Sequence, residues 1–220
     1  MGAPERRRRR VAEDGVAGPD GLRERKKART RQALSDAAIA LFLEKGFDAV
    51  SVAEVAAAAE VSKPTLFRYF PAKEDLVLHR FADHEDESAR VVAEGRADGR
   101  APLDALCEHL LAGLRRRDPV TGLCDVPAVL AYHRLLYGTP ALLAGIHAYQ
   151  QRSEAALARA LGGDPLTARL AAGQITAVLR ILANENVARL TAGEALDAVA
   201  RDATAAAREA FRSLREGLPY

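Results

Sequence analysis

The chain has 220 residues, 49% of them hydrophobic, 28% charged and only 5% aromatic, with no tryptophan. It is long enough to bury a core, and its alanine-rich text without alternating Val/Ile runs argues against a β-sandwich or barrel and for an all-α fold. The net charge of +2 hides an asymmetry: residues 1–31 hold eleven Arg/Lys against five Asp/Glu, and all five lysines lie between Lys26 and Lys73. A basic front on a mildly acidic body predicts an anionic partner, nucleic acid ahead of a membrane surface. No run of eighteen consecutive apolar residues occurs, so no membrane span is expected.

Residues 1–21 combine the Arg6–Arg10 run with Gly, Pro and acids and carry few large apolar groups. They are expected to form a disordered basic arm. The text after the arginines is not the apolar core of a signal peptide. A first helix is expected over 24–45, on the spacing of Leu34, Ala37, Ala38, Leu41 and Phe42, closed by Gly46 in a left-handed cap. Ser51-Val52-Ala53-Glu54 reads as a capping box opening a short second helix. Ser62 caps a third, in whose first turn Pro64 is tolerated. A fourth is expected from Lys73-Glu74-Asp75 to about Glu94.

Further on, Leu103, Leu106, Cys107, Leu110, Leu111 and Leu114 form one stripe, stopped by Asp118-Pro119. A helix over Val126–Tyr137 follows. Thr139-Pro140 and Asp164-Pro165 each read as a cap with Pro at the first helical position. Thr191 with Glu194 reads as another capping box, opening a last helix that carries an alanine-rich face. Cys107 and Cys124 match neither a disulfide framework nor a zinc motif, which fits a reduced, cytoplasmic chain. His79, Asp83 and His84 do not share one helix face, so no metal site is expected.

Helices over 52–59 and 63–70 joined by a tight turn have helix-turn-helix proportions. The second exposes Lys63, Thr65, Phe67, Arg68 and Tyr69: cations for phosphate, hydroxyls for hydrogen bonds, and a flat ring for thymine methyls. No nucleophile–base pair or Gly-rich phosphate loop appears, so an enzyme is not expected and no cofactor is assigned.

The stretch Leu22–Arg80 resembles the N-terminal domain of the tetracycline-repressor (TetR) family of bacterial transcription regulators. The resemblance is carried by Ala37, Leu41, Phe42, Gly46, the Ser51–Ala56 helix start, the Val61–Phe70 run and Lys73-Glu74-Asp75-Leu76. Two positions depart from the family's habit: Glu60 stands where Gly is common, and Phe67 where Tyr is common. The resemblance implies a three-helix DNA-binding domain over 22–80 and a helical ligand-binding and dimerisation domain over 81–220. It implies that Lys63, Pro64, Thr65, Phe67, Arg68 and Tyr69 meet an operator, that Lys73 contacts phosphate, and that Ser51 and Ser62 combine capping with phosphate contact. Arg25, Lys26, Lys27 and Arg29 are expected on the DNA backbone. It also implies a homodimer built on helices over about 165–190 and 193–215, and a small-molecule effector. Pocket candidates are the polar and aromatic residues on apolar segments: His109, Tyr132, His133, Tyr137 and His147, with Tyr149, Asn184 and Asn186 beside them. A ligand-responsive repressor on a palindromic operator is the reading this implies; an activator of the same fold, a helical enzyme and a membrane-surface protein are its rivals.

Overall fold

The computed structural model describes residues 19–82 and 84–217. They form ten α-helices: α1 (Pro19–Lys45), α2 (Val52–Ala58), α3 (Lys63–Tyr69), α4 (Asp75–Ala82), α5 (Glu87–Ala97), α6 (Pro102–Arg116), α7 (Pro127–Gly138), α8 (Pro140–Leu161), α9 (Pro165–Thr191) and α10 (Leu196–Glu216). A single 3-10 turn, Pro119–Thr121, lies between α6 and α7, and no strand occurs among the described residues.

The first helix is longer than its apolar spacing suggests. It begins at Pro19, inside the segment expected to be a disordered arm; the rest of that arm, including Arg6–Arg10, lies outside the described residues. Gly46 closes it at φ +89°, its N–H donating to the Phe42 carbonyl. Only glycine adopts that conformation without strain, and it turns the chain so that Phe47 packs back on Phe42, ring centroids 4.9 Å apart.

Apolar side chains gather into two clusters. One joins Leu34, Phe42, Val55, Leu66, Phe70 and Leu76 of α1–α4 to Leu136, Leu142 and Ile146 of α7 and α8. The core beneath α2 and α3 is therefore finished by the body rather than closed within 22–80. The other joins α5, α6, the second half of α8, α9 and α10. In α10 the buried residues Val199, Ala203, Ala207 and Phe211 recur every fourth position, the spacing of one helix face.

The seam between α1–α4 and the helical body is tied through α4. Ser35 Oγ donates to the Leu76 carbonyl and Tyr132 Oη to the next carbonyl, Val77, each at 2.7 Å. A Cβ at Gly145 would stand 2.1 Å from Leu78 Cδ1, so this glycine lets α8 approach α4.

Three expectations need correction. The fourth helix does not run to Glu94: α4 stops at Ala82, and His84 and Glu87 bond to carbonyls three residues back before α5 starts. The Asp-, His- and Glu-rich break has low helix propensity at its Asp and His positions, and Glu87 is drawn to side chains on either side of it. Thr191 and Glu194 form no capping box. α9 continues through Thr191, Gly193 takes φ +87°, and Glu194 accepts from Arg189 instead. Thr139 precedes α8 in an extended conformation but makes no side-chain cap bond, whereas Asp164 does accept from the Thr167 N–H. Among the described residues one helix, α9, is long and apolar enough to cross a membrane by length and composition; here it packs on α8 and α10.

Candidate nucleic-acid interface

The α2–turn–α3 unit is locked at both helix starts. Ser51 Oγ accepts from the Glu54 N–H at 3.2 Å and Glu54 Oε2 accepts from the Ser51 N–H at 2.8 Å, a complete capping box. The Ser51 N–H first and the Ser51 hydroxyl second, with the Lys45 charge adding less, hold the Glu54 carboxyl below its usual range. Ser62 Oγ accepts from the Thr65 N–H and lies 2.8 Å from Thr65 Oγ1. Between them Glu60 takes φ +54°, a left-handed conformation that disfavours a residue with a Cβ by about 1–2 kcal/mol. The turn is held by the Val61 N–H bonding back to the Ala56 carbonyl.

Burial then sorts the faces of α3. Leu66 and Phe70 are fully buried against α1 and α2. Lys63, Pro64, Phe67 and Arg68 are exposed, Phe67 to 41%. Lys63 Nζ lies 5.8 Å from the Phe67 ring centroid and Arg68 Cζ 5.6 Å from that of Tyr69. Thr65 and Tyr69 share a face, being four residues apart, but that face is half-buried. The outward stripe is thus Lys63–Phe67 and Pro64–Arg68, with Thr65 and Tyr69 on its flank. Arg23, Arg25, Lys26, Lys27, Arg29 and Arg31 are exposed along α1, and the Arg31 guanidinium stands 5.2 Å from the Phe70 ring at the end of α3.

Lys73 is turned inward. Its ammonium donates to the Phe47 carbonyl and lies 4.4 Å and 5.4 Å from the Phe47 and Phe42 ring centroids. It pins the link between α1 and α2, and so the approach to Ser51.

Of the five pocket candidates only His133 and Tyr137 are brought into contact with each other among the contacts described. Tyr132 is engaged at the α4 seam, its ring 6.5 Å from Phe81 and 5.3 Å from the Arg80 guanidinium. Burial, only partly opposed by Arg80, pushes its phenol well above the usual range. His133 and Tyr137 stack at 4.4 Å beside Asn184 of α9; burial lowers the imidazole and raises the phenol. His147 is on an exposed part of α8, paired with Gln151 at 3.1 Å. His109 Nε2 is 2.9 Å from Glu87 Oε1, and the other Glu87 oxygen is 2.9 Å from His84 Nδ1. These bonds, His109 first and His84 second, hold the Glu87 carboxyl far below its ordinary range against the opposing effect of burial.

Sequence spacing missed Glu87 because its partner His109 is 22 positions away; the i,i+3 spacing of His84 and Glu87 was the available signal and was not used. Asn186, read as a possible pocket residue, is buried and donates to the Thr121 carbonyl at 2.9 Å. No cluster of three or more His, Cys, Asp or Glu suited to a metal ion occurs among the described residues.

A capped, tightly turned helix pair that presents cations and an exposed ring, mounted on an all-helical body, defines a DNA-binding transcriptional regulator. Residues 34–79 match the bacterial regulatory proteins of the tetR family. The chain is 34% identical over 173 residues to the HTH-type transcriptional regulator TcmR of Streptomyces glaucescens, spanning 75% of this chain and 76% of that protein. It is 34% identical over 107 residues to the HTH-type transcriptional repressor KstR of Rhodococcus jostii, spanning 47% and 49% of the two chains. The fold is similar to that of native NalD, the secondary repressor of the MexAB-OprM multidrug efflux pump in Pseudomonas aeruginosa, with a TM-score of 0.57 at 20% identity over 87% of this chain and 98% of that one. The chain belongs to the TetR family of bacterial transcription regulators.

Proposed function

We propose that the chain is a cytoplasmic, ligand-responsive repressor that binds a palindromic operator as a homodimer. The observation that carries this reading is the outward stripe of α3. Lys63 and Arg68 supply cations to phosphate or to guanine edges, and Phe67 offers an apolar face to thymine methyls. Thr65 and Tyr69 add hydroxyls from the flank, and Pro64 stiffens the first turn. Ser51 and Ser62 keep their hydroxyls at helix starts, where the backbone favours phosphate. Arg25, Lys26, Lys27 and Arg29 extend the positive surface along α1. Lys73 holds the Phe47 carbonyl with one N–H and keeps two donors for phosphate.

Dimerisation is supported by α9. Leu166, Leu170 and Ile181 are 65%, 58% and 57% exposed and recur at steps of four and eleven, on one face. A second copy covering that face sets two α3 helices in register on successive major grooves. The effector reading is supported by the His133–Tyr137–Asn184 cluster and by the α4 seam around Tyr132, through which a change in the body reaches α1. His109 and His147 remain secondary candidates, since His109 is held by Glu87. A ligand that binds one arrangement of this seam more tightly than the other shifts DNA affinity by that difference.

Footprinting of duplexes selected from a random pool tests the reading. Two protected half-sites of inverted sequence, about one helical turn apart, are expected; selection of no common sequence contradicts it.

A further inference from the structure

A cavity of about 400 Å³ opens where the start of α6, the end of α8, the first half of α9 and the end of α10 meet. It is sixteen residues beyond Gly145 on α8, about 24 Å along that axis from the α4 seam. None of the five polar candidates lines it. Its walls are apolar, built from Leu103, Leu161, Ile175 and Leu214 with Ala171 between them. The volume lies within the range of about 300–1,000 Å³ common to small-molecule sites.

The polar groups at its edge are few and mixed. Arg215 Nη2 donates to Asp104 Oδ1 at 2.5 Å, joining α10 to α6, and Gln174 lines the same edge. The ion pair cancels in net charge yet leaves guanidinium N–H donors and carboxylate lone pairs unused, and the Gln174 amide offers one of each kind. A carboxylate placed there meets Asp104, and an ammonium meets Arg215. A neutral hydroxyl can accept from the guanidinium and donate to the carboxylate at once, while its apolar remainder leaves water for the leucine walls. We propose that this cavity binds an uncharged apolar molecule carrying a hydroxyl or carbonyl group, with Arg215 and Asp104 recognising the polar group. The site is independent of the operator reading, because it is defined and tested without DNA.

Calorimetric titration of the full chain with decanol, decanoate and decyltrimethylammonium tests it. Decanol should saturate at one per chain, with both ions at least tenfold weaker. Ala171→Phe fills the cavity and should weaken decanol at least tenfold. The surface pair variant Asp104→Asn/Arg215→Gln leaves the walls intact; it should narrow the discrimination against the ions to less than threefold, whether or not Ala171→Phe folds. Decanol that never saturates, a folded Ala171→Phe chain that binds decanol like wild type, or decanoate as tight as decanol overturns the proposal. So does decanol binding that appears only when dimers dissociate on dilution, since a second copy then occupies the groove.

Discussion

The Lys73 ammonium donates to the Phe47 carbonyl and lies 4.4 Å from the Phe47 ring centroid, so its charge is spent on the turn before α2 while DNA is absent. A charge-assisted hydrogen bond and a partly shielded cation–π contact together stabilise by about 1–2 kcal/mol. Lys73→Met keeps the aliphatic stem and removes both. Thermal melting should show a loss of that size; an unchanged melt would mean that the lysine is already turned outward. Glu60 shows a second property of single residues. Its place in a tight turn was legible from the neighbouring Val61-Ser62, and its left-handed backbone follows from that turn, not from anything glutamate prefers. What spacing could not show was which side of α3 faces outward. Thr65 and Tyr69 form a pair at the right interval, but Leu66 and Phe70 choose the buried side, and that choice rotates Phe67 and Lys63 to the front.

At the scale of the helices, caps were legible where the capping side chain and its target are close in sequence. Ser51 with Glu54, Ser62 with Thr65, and Asp164 with Thr167 all close within three residues. The break between α4 and α5 was not legible, because it has no proline or glycine and its partner His109 comes from another helix. That break makes a pH prediction. The folded-state pKa of Glu87 is depressed by His109 and His84, so its contribution to stability is present above the ordinary carboxylate range and is lost as the pH falls through the folded value. Glu87, Glu85, Asp86 and Arg152 all act on the Tyr149 phenol, and the Glu85–Arg152 pair at 2.9 Å ties the same break to α8. Glu87→Gln should therefore melt below wild type at pH 7, and the gap should narrow steadily on acidification below about pH 4.3, the ordinary glutamate value. A gap that widens on acidification below that value would contradict the assignment. A constant gap would show that packing, not charge, is what Glu87 supplies.

Across the fold, the two apolar clusters meet along α8, which gives Leu142 and Ile146 to one and Leu157 and Ala158 to the other, and the unit bearing α3 borrows Leu136, Leu142 and Ile146 from the body. The division at residue 80 suggested by the family resemblance marks where the helix-turn-helix text ends, not where a core closes. The α9 face left open by this packing is the basis of the proposed dimer. Burying the exposed part of Leu166, Leu170 and Ile181, 57–65% of each, against a second copy contributes about 1–2 kcal/mol per side chain. Ile181→Asp is expected to convert a dimer to a monomer at micromolar concentration in sedimentation while leaving the helical spectrum intact. A wild-type monomer, or a variant that remains dimeric, would move the interface elsewhere.

The outward stripe of α3 is proposed to read DNA, and duplex binding across a salt series registers that reading. Wild type, Phe67→Ala and Arg68→Ala are titrated against a selected site and a scrambled duplex of the same composition. Phe67 is exposed, so its removal leaves the core untouched. Phe67→Ala should lose about 1–3 kcal/mol more on the selected site than on the scrambled one with an unchanged salt slope, and Arg68→Ala, if it holds a phosphate, should weaken both and lower the slope by about one. Equal losses on both duplexes for Phe67→Ala, or no loss for either variant, would contradict the assignment of α3 as the reading helix.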